Sequence, residues 1–139
     1  MRQSKKTYLV DTNVLLRYLI GDNVQNAEKA LALMERVESG SEEVEICSVI
    51  VAETIWTLEK FYEVPRKDIA QKLLAIFSFK GVRGSEKSSI VDALQTYAST
   101  RIDFIDCYLA ARGKGQNMPV YSFDKKDFSR LGTPWEIPK

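Results

Sequence analysis

Histidine is absent from the 139 residues. That excludes histidine acid–base catalysis, Ser-His-Asp triads and histidine-ligated metals. Any chemistry must fall to carboxylates, lysine, tyrosine or cysteine. Cysteine is scarce, with only Cys47 and Cys107. Two are too few for a disulfide scaffold, so both read as small buried hydrophobes in a reducing, cytoplasmic setting. No apolar run approaches the ~20 residues of a membrane span. The basic start MRQSKK lacks the apolar core and cleavage site of a secretory signal, and none is expected. Internal repeats, low-complexity tracts and linkers are also missing.

What is present suits one compact domain, residues 1–139, with 45% hydrophobic content. The net charge of +1 is unevenly spread. Residues 1–64 carry 7 basic and 11 acidic groups, and residues 65–139 carry 13 and 8. The second half can therefore face a polyanion.

Hydrophobic periodicity alternates between strand and helix. TYLVD predicts a strand, and TNVLLRYLIG a helix stopping near Gly21. NAEKALALMERVESG predicts a helix ending at Gly40. EVEICSVIV predicts a second strand ending near Cys47, with Ser48 capping the helix VIVAETIWTLEKFYE. RKDIAQKLLAIFSF follows Pro65 as a helix, and GVRG holds a very short strand or a turn. SEKSSIVDALQTYASTR and DFIDCYLAARGKGQ predict helices, the latter capped by Asp103. PVYSFD predicts a strand, KKDFSRLG a short helix, and TPWEIP one more edge strand. The implied class is α/β: three layers, α/β/α, around a central, mostly parallel sheet of about four to five strands. Ligands in such sheets bind beyond the strand C-termini.

The acids fall at that edge. Asp11 ends the first strand, and Glu53 lies about one turn into the helix after the second. Asp106 sits in the first turn of DFIDCYLAA, and Asp124 follows PVYSF. Asp103 and Asp127, three residues from Asp106 and Asp124, can add to the cluster, although Asp103 also suits a helix cap and Asp127 a surface position. Clustered carboxylates repel one another, and divalent cations remove the conflict. An all-oxygen site suits Mg²⁺ or Mn²⁺, which points to metal-assisted phosphodiester chemistry. Asn13 and Ser122 are supporting candidates. Lys114, Lys125, Lys126 and Arg130 are candidates for steering a phosphate backbone, and Tyr121 reads as core.

At these residues the sequence resembles a PIN-domain ribonuclease, specifically a VapC-type toxin of a toxin–antitoxin pair. YLVDTNVLLRYL resembles the family's opening strand–Asp–Thr–Asn–helix motif. SVIVAETIWTLEKFY resembles the second, with Glu53 as its acid. DFIDCYLAARGKGQNMPVYSFDKKDFSRL resembles the third and fourth, with Asp106 and Asp124. The resemblance implies an endoribonuclease that cleaves with metal-activated water. Mg²⁺ or Mn²⁺ would be bound by Asp11, Glu53, Asp106 and Asp124, with Asp103 assisting. It also implies a homodimer held in check by a cognate antitoxin, with the apolar helices Leu31–Val37 and Ile69–Phe77 as candidate dimer faces. An extra lysine displaces Asp127 from the family pattern and leaves it without an assigned role.

Other readings are weaker. A phosphatase with an aspartyl nucleophile often carries a second aspartate two residues on, where this chain has Asn13. A receiver-type domain would need further acids before the end of the first strand. A non-catalytic RNA- or protein-binding scaffold would be expected to lose one of the acids. A housekeeping RNA-processing nuclease would lack an antitoxin reading frame beside its gene.

Overall fold

A computed structural model describes residues 6–139. The chain forms two compact units, Met1–Lys87 and Ser88–Lys139.

In the first unit, β1 (Thr7–Leu9) leads into α1 (Thr12–Ile20), and α2 (Val24–Ser39) into β2 (Glu43–Glu45). Then come α3 (Ser48–Lys60), α4 (Arg66–Phe77) and β3 (Val82–Arg83). The strands pair in the order β1-β2-β3, all parallel, with Tyr8 opposite Val44 and Val44 opposite Val82. Gly21 and Gly40 end α1 and α2 in the left-handed conformation (φ 72° and 84°), as the sequence predicts. Leu15, Met34, Val37, Val51, Leu58, Ile69, Leu73 and Phe77 are among its buried apolar residues.

Several details differ from the sequence reading. The second strand stops at Glu45, and Ser48 is the first helical residue of α3, not its cap. Cys47 holds the cap position and makes no side-chain cap bond. A distant acid does that work: Glu86 accepts the Ser48 N–H at 2.9 Å and the Ser48 hydroxyl at 2.7 Å. Cys47 is half-buried, not a core residue, whereas Cys107 is buried as expected. The α4 face proposed for dimerisation is spent on this chain's own core, since Ile69, Leu73, Ile76 and Phe77 are all buried. On α2, by contrast, Leu31 remains exposed.

In the second unit, α5 (Lys87–Ser99) opens at the boundary, followed by α6 (Phe104–Gly115), β4 (Val120–Tyr121), α7 (Lys125–Leu131) and β5 (Trp135–Glu136). The last two strands pair in parallel, Val120 opposite Trp135. Ile90, Leu94, Tyr97, Phe104, Cys107, Phe128 and Leu131 are buried. Tyr121, read as core, is 72% exposed because β4 turns that side outward.

The α/β class with parallel strands holds. The ladders are smaller than the single four-to-five-stranded sheet expected, pairing as three strands and two. Strands of two or three residues carry too little alternation for the sequence to show where they pair. Among the described residues, no helix is long and apolar enough to cross a membrane.

Gly81 marks the closest backbone approach. Its N–H donates to Val37 O at 2.8 Å, and its carbonyl accepts from Val44 N–H at 2.8 Å. A Cβ there would stand 2.0 Å from Glu42 O and 2.8 Å from Val37 O. Backbone carbonyls cannot swing aside as a side chain can. Gly81→Ala is therefore expected to cost about 1–3 kcal/mol, read as a lower urea midpoint at unchanged m-value.

Candidate functional site

Asp11 and Glu53 belong to the first unit, where the residue after Asp11 contacts Glu53. Asp11 stands just beyond β1 and caps α1, accepting the Thr12 N–H at 2.8 Å. The cap leaves its second carboxylate oxygen available. Glu53 is exposed on α3, the helix that follows β2. Thr12 is buried, and its hydroxyl donates a short hydrogen bond to a Glu53 carboxylate oxygen. The residue after Asp11 thus fixes the carboxylate of Glu53. A bond across 41 residues leaves no local signal in the sequence.

Asn13 is exposed and lines an open cleft of about 260 Å³ with Val14, Arg17, Asn26, Lys29, Ala30 and Leu33.

The second unit gathers Asp106, Asp124 and Asp127. Each offers a carboxylate oxygen, and these oxygens lie within 4.8 Å of one another. Asp106 is placed by the first turn of α6, where Phe104 and Cys107 are buried on either side of it. Asp124 caps α7 by accepting the Asp127 N–H at 3.0 Å. The Ser122 hydroxyl oxygen accepts the Asp124 backbone N–H at 2.9 Å. Asp127, which the sequence leaves open as cluster member or surface residue, is half-buried and part of the cluster. Its position three residues after a capping acid was the available clue. Asp103 occupies the N-cap position of α6 but makes no side-chain cap bond, so capping does not explain its carboxylate.

The electrostatics follow from this crowding. Burial, then the charges of Asp124, Asp103 and Asp127, push the Asp106 carboxyl above its ordinary value. Asp127 is also raised, by partial desolvation and then by Asp124, while Lys126 and Arg130 pull it back. Those two cations, with Lys125, therefore sit around the cluster. Lys114 does not join them: it lies eight residues along α6 from Asp106, about 12 Å of helix rise.

The donor set is all oxygen, anionic and self-repelling, which fits a hard divalent cation. Separations under 4.8 Å can be closed by side-chain rotation. Neutral carboxyls relieve the same repulsion. Because the folded state holds the Asp106 proton more tightly than the unfolded chain, ionising it costs stability, fully so above the raised pKa. Metal-free Asp106→Asn is expected to melt a few degrees above the parent at pH 7. That gain should shrink as the pH falls and the parent takes up its proton, which calorimetry across pH 4–8 checks.

None of the curated proteins matches the chain significantly. A protein-family model described as PIN domain matches residues 8–134, a stretch that includes Asp11, Glu53, Asp106 and Asp124. With that match extending over most of its length, the chain belongs to the PIN domain family.

Proposed function

We propose that this protein is a metal-dependent endoribonuclease, the toxin of a VapC-type toxin–antitoxin pair. PIN domains are generally nucleases, so the reaction class is hydrolysis of nucleic acid. The observation that carries the reading is the trio Asp106, Asp124 and Asp127, with oxygens within 4.8 Å in a chain without histidine.

Asp11, Glu53, Asp106 and Asp124 are the acids we assign to holding Mg²⁺ or Mn²⁺, with Asp127 beside Asp124 and Asp103 assisting. A bound cation would lower the pKa of a water and offset charge on the phosphate. The chain supplies the rest. Thr12 keeps the Glu53 carboxylate in one orientation, and Ser122 does the same for the backbone that carries Asp124. Lys125, Lys126 and Arg130 draw in the RNA backbone. No side-chain nucleophile is required. The toxin assignment carries with it a homodimer, a cytoplasmic setting and an antitoxin that covers the site.

Purified protein should cut RNA with Mg²⁺ or Mn²⁺ and stop with EDTA. Asp11→Asn and Glu53→Gln should each lower the rate at least ~100-fold with an unchanged circular dichroism spectrum. Normal cutting by either variant would remove that acid from the site, and RNA bound but never cut would turn the reading to a binding scaffold. Thr12→Val keeps shape and removes the donor to Glu53. It should weaken Mn²⁺ affinity about 10- to 100-fold, with Thr12→Ser close to the parent, as titration calorimetry would show.

A further inference from the structure

Helices α1 and α2 are joined by only three residues, 21–23, so they pack side by side in opposite directions. Asn13 and Arg17 share one stripe of α1, and Asn26, Ala30 and Leu33 share one stripe of α2. Between the two helices lies the cleft of about 260 Å³. Ala30 is buried and small, and it floors the cleft beside half-buried Val14 and Leu33. Because the helices are antiparallel, Arg17 and Asn26 lie toward the loop and Leu33 lies away from it. The cleft is cationic at one end and apolar along the rest.

Its charge is only half balanced. Arg17 and Lys29 both line it, and no acid does. Arg17 pairs with one carboxylate oxygen of Asp22, outside the lining, and the other oxygen accepts the Tyr62 hydroxyl at 2.8 Å. A guanidinium presents five donors, so one loop carboxylate leaves most of them unspent. Lys29 forms no ion pair among the described residues. Two cations and one acid leave a place for a second anion, and the resident partner of Arg17 is itself a carboxylate. Sites for drug-sized molecules run to roughly 300–1,000 Å³, so the occupant of this smaller cleft is a small one.

We propose that the cleft between α1 and α2 binds a small amphiphilic carboxylate, its acid on Arg17 and Lys29 and its hydrocarbon tail along Val14, Ala30 and Leu33. The site goes beyond the nuclease reading and does not rest on it, since none of the acids assigned to the metal lines the cleft.

Octanoate is the probe, with octanol and octylammonium carrying the same tail. In titration calorimetry at low salt, octanoate should bind one to one, octanol at least ~10-fold more weakly, and octylammonium not at all. Two-dimensional NMR should place the shifts at the side-chain amides of Asn13 and Asn26. Arg17→Gln should remove the preference for octanoate over octanol. That variant also breaks the bridge to Asp22, so Asp22→Asn is its control. It breaks the same bridge, keeps the guanidinium, and should tighten octanoate binding about 2- to 5-fold.

No saturable binding of octanoate up to ~10 mM would overturn the proposal. So would equal affinity for octanol, which marks an apolar surface with no charge requirement, or shifts that miss both helices. Unchanged octanoate affinity in Arg17→Gln would overturn it as well. A dimer that takes no octanoate, and that Leu33→Asp turns into a monomer, would assign the cleft to a second copy instead. Every readout is binding, so cleavage or its absence leaves the result unaltered.

Discussion

Like charges held close together repel, and the second unit holds three carboxylates within reach of one another. Their backbone positions are fixed by the helices that carry them. Asp106 is rooted in the first turn of α6, between buried Phe104 and Cys107. Asp124 is tied to the start of α7, which Phe128 and Leu131 anchor by burial. The N-terminal ends of both helices carry partial positive charge, which softens the repulsion without removing it. The residue appears as a raised proton affinity at Asp106 and Asp127. A site that favours protons also favours a harder, doubly charged cation.

The first unit solves a different problem. Its acids are exposed, so burial does not constrain them; hydrogen bonds do. Asp11 is held by the cap it makes at α1, and Glu53 by the Thr12 hydroxyl. Glu86 secures the start of α3 through two bonds to Ser48, a turn and a half before Glu53. Parallel pairing of β1 with β2 makes this possible, because it puts both strand ends on the same side. A long flexible glutamate on a solvent-facing helix would otherwise sample many rotamers. The buried threonine removes most of that freedom at the carboxylate itself.

Local signals carried far in this chain. The glycines at 21 and 40, the apolar stripes of α2 and α4, and the acids after short apolar strands were all legible, because each depends on neighbours within a few residues. Cys47, Ser48 and Tyr121 were misjudged, and Asp127 left open, for the opposite reason. Glu86 at α3 and Asp106 at the cluster come from distant segments, and a two-residue strand such as β4 has no pattern to show which side faces out. Strand pairing was equally out of reach, since two- and three-residue strands have almost no pattern of their own.

By itself, the sequence determined the chemistry that is available: no histidine, oxygen donors in quantity, and acids where helices begin. Residue type and helix–strand periodicity are enough for that, because they act along the chain. Tertiary structure alone decided which oxygens meet. It brought Asp127 to Asp106 and Asp124, aimed the Thr12 hydroxyl at Glu53, and left Trp56 open to solvent on the same helix face. Those outcomes depend on packing between segments tens of residues apart, where a difference of a few ångströms separates a surface carboxylate from a ligand.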